Sequence, residues 1–149
     1  EDYGMPVMVS THPRTQKRID ETKSKFHQNV IFLKPLGFLD YVRLQLSARA
    51  SLSDSGTINE ESSILKFPAL NLREAHERPE GMEGAAVMMV GLEIERIRQG
   101  LAILSTQRRG TESGLKIVED YNVNNVSEKV VKIIHSYVDY INRVVWKIY

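Results

Sequence analysis

The sequence predicts an α/β fold, a mostly parallel sheet with helices on both faces. Five short segments, at residues 6–10, 29–33, 50–53, 68–72 and 87–90, read as strands. The first is an apolar run ending at a polar turn, which suits a buried parallel strand. Charged segments with apolar residues at helical spacing lie between them. Strands and helices alternating at this interval build βαβ units, which close right-handed and give a parallel sheet. The composition agrees, with 149 residues at 42% apolar and 26% charged, the proportions of one globular domain with a sizeable core.

Each element follows from its own residues. Pro6-Val7-Met8-Val9-Ser10 is a strand ending at a polar turn. Residues 14–27 are charged or polar apart from Ile19 and Phe26, a helix with a thin buried stripe. Asn29-Val30-Ile31-Phe32-Leu33 is a second strand, rich in branched and aromatic side chains. Residues 38–48 form a helix carrying Leu39, Val42, Leu44 and Leu46, and Ala50-Ser51-Leu52-Ser53 is a third strand leading into a turn at Asp54. Residues 57–65 are helical, with Ile58, Ile64 and Leu65 facing inward, and Pro68-Ala69-Leu70-Asn71-Leu72 is the fourth strand. A loop over residues 73–78 precedes the fifth strand, Val87-Met88-Met89-Val90, and a helix over 94–107 follows. The terminal helix, 126–149, repeats Val130, Ile133, Ile134, Val138 and Ile141 at helical spacing, broadened by Tyr137, Tyr140, Trp146 and Tyr149. Much of that stripe is expected in the core.

Charge and composition narrow the function. A net charge of +1 with both signs interspersed predicts neither a nucleic-acid surface nor a polybasic membrane patch. The absence of cysteine excludes disulfides, thiolate catalysis and sulfur-based zinc sites, and fits a cytoplasmic protein. No stretch approaches the ~20 apolar residues that cross a bilayer, and the N-terminus lacks a basic segment followed by an apolar run. The opening Glu1-Asp2-Tyr3-Gly4, without an initiator methionine, reads as a domain cut from a longer chain. There is no Walker-type loop and no G-x-G-x-x-G.

The chemistry concentrates in Ser51-Leu52-Ser53-Asp54-Ser55-Gly56-Thr57-Ile58-Asn59-Glu60-Glu61. A strand end, a tight turn and a helix start are expected to leave backbone N–H groups near Gly56 to Asn59 without intrahelical partners, and such a terminus attracts anions. Ser55 adds a hydroxyl donor, Gly56 removes a Cβ that would hold an anion away, and a carboxylate at Glu61 suits sugar hydroxyls. Arg78, between Glu77 and Pro79, offers a guanidinium fork for phosphate oxygens. Plainer readings stand beside these. Gly56 also suits a simple turn, Glu60 and Glu61 suit the helix dipole as first-turn acids, and Arg78 suits a surface ion pair. Because His12, residues 54–57 and the loop before Arg78 all follow strands, they are expected on one rim, where ligands of parallel sheets bind.

In order and spacing, five segments resemble the C-terminal half of the non-hydrolysing UDP-N-acetylglucosamine 2-epimerases. They are Ser10-Thr11-His12-Pro13-Arg14-Thr15, Pro35-Leu36-Gly37-Phe38-Leu39-Asp40-Tyr41, Asp54-Ser55-Gly56-Thr57-Ile58-Asn59-Glu60-Glu61, Glu77-Arg78-Pro79-Glu80 and Val87-Met88-Met89-Val90-Gly91. The resemblance covers nearly the whole chain. It departs from the common pattern at Thr57, often a second glycine, and at Asn59, often glutamine. Those departures resemble the branch acting on UDP-linked N-acetylated 6-deoxy sugars for capsule or O-antigen synthesis.

The resemblance implies a Rossmann-like domain forming the C-terminal half of a two-domain GT-B-type architecture, with the N-terminal domain as its missing partner. It implies inversion at C2 of a UDP-N-acetylhexosamine, by anti elimination of UDP to a 2-acetamidoglycal and re-addition to the opposite face. No redox cofactor or metal takes part, and the acid/base carboxylates lie mainly in the N-terminal domain. By position, His12 would face the diphosphate and sugar as a catalytic group. Ser55, Gly56 and Thr57 would form the diphosphate turn, Arg78 would bind phosphate, and Arg14 is a further phosphate candidate. Glu61 would take the ribose hydroxyls and Tyr41 would lie near the uracil. Against these stand a loop histidine bonded to backbone for His12 and helix-face packing for Tyr41. His27, His76 and His135 match no motif and are read as structural or solvated. The family's final helix crosses back to the N-terminal domain, so part of the terminal stripe is expected to be exposed or paired in a homodimer. Two alternatives stay open: the nucleotide-sugar domain of a GT-B glycosyltransferase, and a non-catalytic nucleotide-binding module.

Overall fold

A computed structural model describes residues 3–75 and 77–148, and the chain divides into two compact units, one ending at Ala48 and the other beginning at Arg49. His76 and Tyr149, named above, fall outside the described residues, as do Glu1 and Asp2. Within each unit the strands pair parallel, as the βαβ reading expects.

The first unit runs β1 (Val7–Ser10), α1 (Pro13–Thr22), β2 (Val30–Leu33) and α2 (Phe38–Ser47). β1 lies beside β2 with Val7 opposite Val30 and Ser10 opposite Leu33. Buried Thr11 pins the exit from β1, its backbone N–H donating to the Leu33 carbonyl at 3.2 Å. α1 begins at a proline in its first turn, where the missing N–H costs nothing. The expected continuation to residue 27 does not occur. Lys23 turns into the left-handed region at φ 49° and stops the helix, and Phe26 reaches Phe32 of β2 from the extended segment beyond, ring centroids 4.8 Å apart and edge-to-face.

The second unit contains β3 (Ser51–Ser53), α3 (Ile58–Leu65), β4 (Ala69–Asn71), α4 (Pro79–Glu83), β5 (Met88–Met89), α5 (Ile94–Leu104) and α6 (Val126–Val144). β4 is central, parallel to β3 on one side and to β5 on the other. Its side chains alternate between two cores. Ala69 packs with Ile58 of α3, Phe67, Ala86, Val87 and Val118, and Leu70 packs with Val90 and Leu104 of α5, flanked by Ile97 and Leu101. Successive strand side chains point to opposite faces, so α3 covers one face of β4 and α5 the other. Burying each such leucine or isoleucine stabilises the unit by about 1.5–3 kcal/mol.

α5 ends three residues before the expected 107. The Ser105 hydroxyl donates to the Ala102 carbonyl at 2.6 Å and the Thr106 hydroxyl to Ile103 at 3.1 Å, side-chain bonds that replace a further turn. The chain then forms a strap across the unit, including short 3-10 turns at Gly110–Glu112 and Glu119–Tyr121. Gly110 N–H bonds the Lys66 carbonyl at 3.0 Å, and the Arg109 guanidinium donates to the Arg49 carbonyl. Buried Val118 donates its N–H to Ser63 Oγ at 2.9 Å.

α6 overturns the expectation of a largely buried stripe. None of its residues is buried, and Val130, Ile134 and Val138 are 47%, 57% and 45% exposed. Both faces of β4 are already covered by α3, α5 and the strap, so the core around β4 has no position left for it. Its helix stops at Val144, short of the expected 149. Among the described residues, no helix is long and apolar enough to cross a membrane.

Candidate functional site

Because β3, β4 and β5 run parallel, their carboxyl ends share one edge, and the turn after β3 and the loop after β4 both leave from it. The turn is tied to itself. Ser55 N–H donates to Ser53 Oγ at 3.0 Å, Thr57 N–H to Ser55 Oγ at 3.3 Å, and the Ser55 and Thr57 hydroxyls lie 2.9 Å apart. The Ile58 and Asn59 N–H groups bond the Ser55 and Gly56 carbonyls at 3.4 and 3.3 Å. As expected, the N–H groups of Thr57, Ile58 and Asn59 find no acceptor inside α3, and they turn instead to Ser55 and Gly56 in the turn before it. These bonds are long, beyond the usual N–H···O range, and correspondingly weak.

Gly56 makes room for a neighbouring side chain. A Cβ there would collide with Nη1 of Arg78, so the guanidinium lies directly across the glycine at the start of α3. Arg78 is fixed from its other side by Glu60, whose Oε1 lies 2.7 Å from Nε. Arg78 also precedes Pro79, the first residue of α4, and α4 packs tightly on α3, since a Cβ at Gly81 would come within 2.8 Å of Asn59. Beside this pair, Arg73 Nη2 meets Glu77 Oε1 at 2.7 Å. The hydrogen bond, and then the opposite charge, hold Arg73 above and Glu77 below their ordinary ranges. Glu61 is half-buried in the first turn of α3, and its N–H donates to the Thr57 carbonyl at 2.9 Å.

Behind Arg78, the Tyr121 hydroxyl donates to Glu80 Oε1 at 2.9 Å. Burial first, then the bond to Glu80 and the charges of Glu80 and Glu60, push the Tyr121 phenol well above its usual range. Neither this clamp nor the Glu60–Arg78 pair is marked in the sequence. Glu60 is indistinguishable there from a first-turn acid, and Tyr121 belongs to a segment with no helical or strand period.

The remaining candidates stand in the first unit. His12 is exposed and caps α1, its Nδ1 accepting the Arg14 N–H at 3.2 Å. That bond makes Nδ1 the acceptor and leaves the proton on Nε2, so the backbone-bonded reading and a donor role for the other nitrogen hold together. The Arg14 side chain is exposed in the first turn of α1, and Tyr41 is half-buried on α2. Among the described residues, no group of three or more His, Cys, Asp or Glu side chains is placed to hold a metal ion.

A profile of the family described as UDP-N-acetylglucosamine 2-epimerase matches residues 1–135. The chain is 35% identical over 113 residues to the UDP-N-acetylglucosamine 2-epimerase of Methanocaldococcus jannaschii, covering 73% of this chain and 31% of that protein. Its fold resembles the UDP-N-acetylglucosamine 2-epimerase of Rickettsia bellii at a TM-score of 0.83 and 44% identity, over 97% of this chain and 40% of that one. A crystal structure of the Methanocaldococcus jannaschii enzyme in complex with UDP-GlcNAc and UDP aligns at a TM-score of 0.77 and 31% identity, over 91% and 37% of the two chains. The chain thus spans between about a third and two fifths of the proteins it matches. With the profile running from β1 into α6 and the likeness of fold covering 97% of the chain, this chain belongs to the UDP-N-acetylglucosamine 2-epimerase family.

Proposed function

We propose that this chain is the UDP-binding region of a UDP-N-acetylhexosamine 2-epimerase, seating the diphosphate on the turn Ser55, Gly56 and Thr57 against Arg78. The observation that carries this reading is the Arg78 guanidinium laid across Gly56 at the N-terminus of α3. An arriving diphosphate exchanges the long turn bonds at Thr57, Ile58 and Asn59 for charge-assisted ones and meets a guanidinium already ordered. Glu61, one turn into α3, takes the ribose hydroxyls, Tyr41 serves the uracil, and Arg14 is a second phosphate partner. His12, through its Nε2–H, donates to a phosphate oxygen as charge develops on the leaving diphosphate. The complete protein inverts C2 by eliminating and re-adding UDP, with the acid/base carboxylates outside these residues, and supplies surface polysaccharide precursors. The cysteine-free composition supports a cytoplasmic setting.

Calorimetry on the full-length product of the reading frame that encodes this chain tests the site. Arg78→Ala is expected to weaken UDP binding about 10- to 100-fold, the loss of a charge-assisted bond worth ~1.5–3 kcal/mol. Glu61→Gln is expected to weaken UDP and spare inorganic pyrophosphate, which has no ribose. Native UDP affinity in Arg78→Ala removes that residue from the site. Incubation with a UDP-N-acetylhexosamine alone tests the reaction: epimerisation without an acceptor supports the reading, and strict acceptor dependence replaces it with glycosyl transfer.

A further inference from the structure

We infer that Glu60 is the positioning residue that presents Arg78 to the diphosphate, an inference that rests on the UDP site proposed above. Glu60 and Glu61 are adjacent on α3, so their side chains leave the helix about 100° apart and cannot share one task. Glu60 is the one turned to Arg78. Its Oε1 meets Nε at 2.7 Å, and Oε2 is buried without a hydrogen-bond partner among the described residues. Engaging Nε occupies one edge of the guanidinium and leaves the edge carrying both Nη groups for a ligand, with Nη1 already against Gly56. The neighbouring acid is kept out of this competition. Glu80, two residues beyond Arg78, is held by the Tyr121 hydroxyl at 2.9 Å.

Two physical effects of Glu60 oppose each other. Its negative charge stands close to where a diphosphate would sit and repels it, whereas its grip on Nε orders a long, flexible side chain before the ligand arrives. At 30% and 32% side-chain exposure, both partners remain in contact with water, which screens the repulsion. Ordering a guanidinium in place acts at contact and is not screened in this way. The positioning effect therefore dominates, and removing the charge of Glu60 weakens UDP binding although it makes the site more positive.

The test is a double-mutant cycle of UDP affinity in the full-length product, with Glu60→Gln, Arg78→Ala and both together. Glu60→Gln is expected to raise the Kd for UDP about 3- to 10-fold. In the Arg78→Ala background the same change is expected to weaken UDP no further and to tighten it slightly, because without Arg78 only the repulsion of the diphosphate by Glu60 remains. A purely structural role would carry its loss into both backgrounds, and equal losses overturn the inference. Glu60→Asp keeps the charge and is one methylene too short to reach Nε, so it is expected to weaken UDP as well. It serves also as the second variant should Glu60→Gln fold poorly. Native or tighter affinity in Glu60→Gln, in a protein where Arg78→Ala does weaken UDP, overturns this inference alone. Native affinity in Arg78→Ala overturns both this inference and the site beneath it.

Discussion

Tyr121 is the residue whose pH behaviour is most sharply defined. Its phenol is raised by burial first and by Glu80 second, so the folded state holds the proton more tightly than the unfolded chain does. A phenol ordinarily titrates near ~10. Its contribution to stability is thus complete below about pH 10 and is lost progressively above that, as the unfolded chain ionises and the folded one does not. Tyr121→Phe is expected to cost about 1 kcal/mol near pH 8 through the lost bond to Glu80, with the gap narrowing by pH 11. Urea unfolding at the two pH values measures it, and a gap that is constant with pH refutes the account. At Gly56 the same scale gives a steric rule. The residue is needed because Arg78 lies on it, so Gly56→Ala is expected to weaken UDP binding by displacing Arg78, to a degree approaching that of Arg78→Ala.

Among the elements, β4 and α6 are opposites in the same unit. Leu70 is fully buried on β4, and Leu70→Ala is expected to destabilise the chain by about 2–5 kcal/mol through lost burial and a residual cavity. Ile134 sits on α6 at 57% exposure, and Ile134→Lys is expected to change stability by less than about 0.5 kcal/mol. Denaturant midpoints of the two variants of this chain decide the matter, and a large loss in Ile134→Lys shows α6 packed after all. The contrast marks what a sequence discloses. The positions of the strands were legible because a run such as Pro68-Ala69-Leu70-Asn71-Leu72 carries its own signal, and α3 was legible from its inward residue Ile58, whereas Val7 and Met8 of β1, expected in a buried strand, and Ile64 of α3, expected inward, are exposed. The periodicity of α6 was equally plain, yet whether a stripe is covered depends on what else fills the core, and α3, α5 and Val118 fill it first. The end of α1 was hidden for a related reason, since Phe26 is claimed by Phe32 of β2. In the proposed site, type and spacing are enough to nominate Ser55, Gly56, Thr57 and Arg78. That Gly56 accommodates Arg78, and that Glu60 grips it, depends on where two distant segments fold together.

At the scale of the molecule, the chain holds the proposed nucleotide site and spans about a third to two fifths of the length of these relatives. On the proposed division of labour, the isolated 149-residue chain is expected to show weak, measurable UDP binding by NMR titration. It is also expected to exchange no hydrogen at C2 of UDP-N-acetylglucosamine in deuterated water, because the base and the enclosure that excludes water lie elsewhere. Deuterium incorporated by this chain alone would falsify that division and turn attention to His12 and Glu60. The strap between α5 and α6 bears on how the site comes into being during synthesis. Glu80 and its partner Tyr121 are 41 residues apart. At ribosomal speeds of roughly 5–20 residues per second, Glu80 precedes Tyr121 into existence by about 2–8 s. For that interval the nascent chain holds Arg78, Gly56 and Glu60 but not the tyrosine that occupies Glu80, and a second carboxylate is at liberty to seize the guanidinium. The proposed nucleotide site is therefore finished only when the strap has been made, later than Ser55, Gly56, Thr57, Glu61 and Arg78.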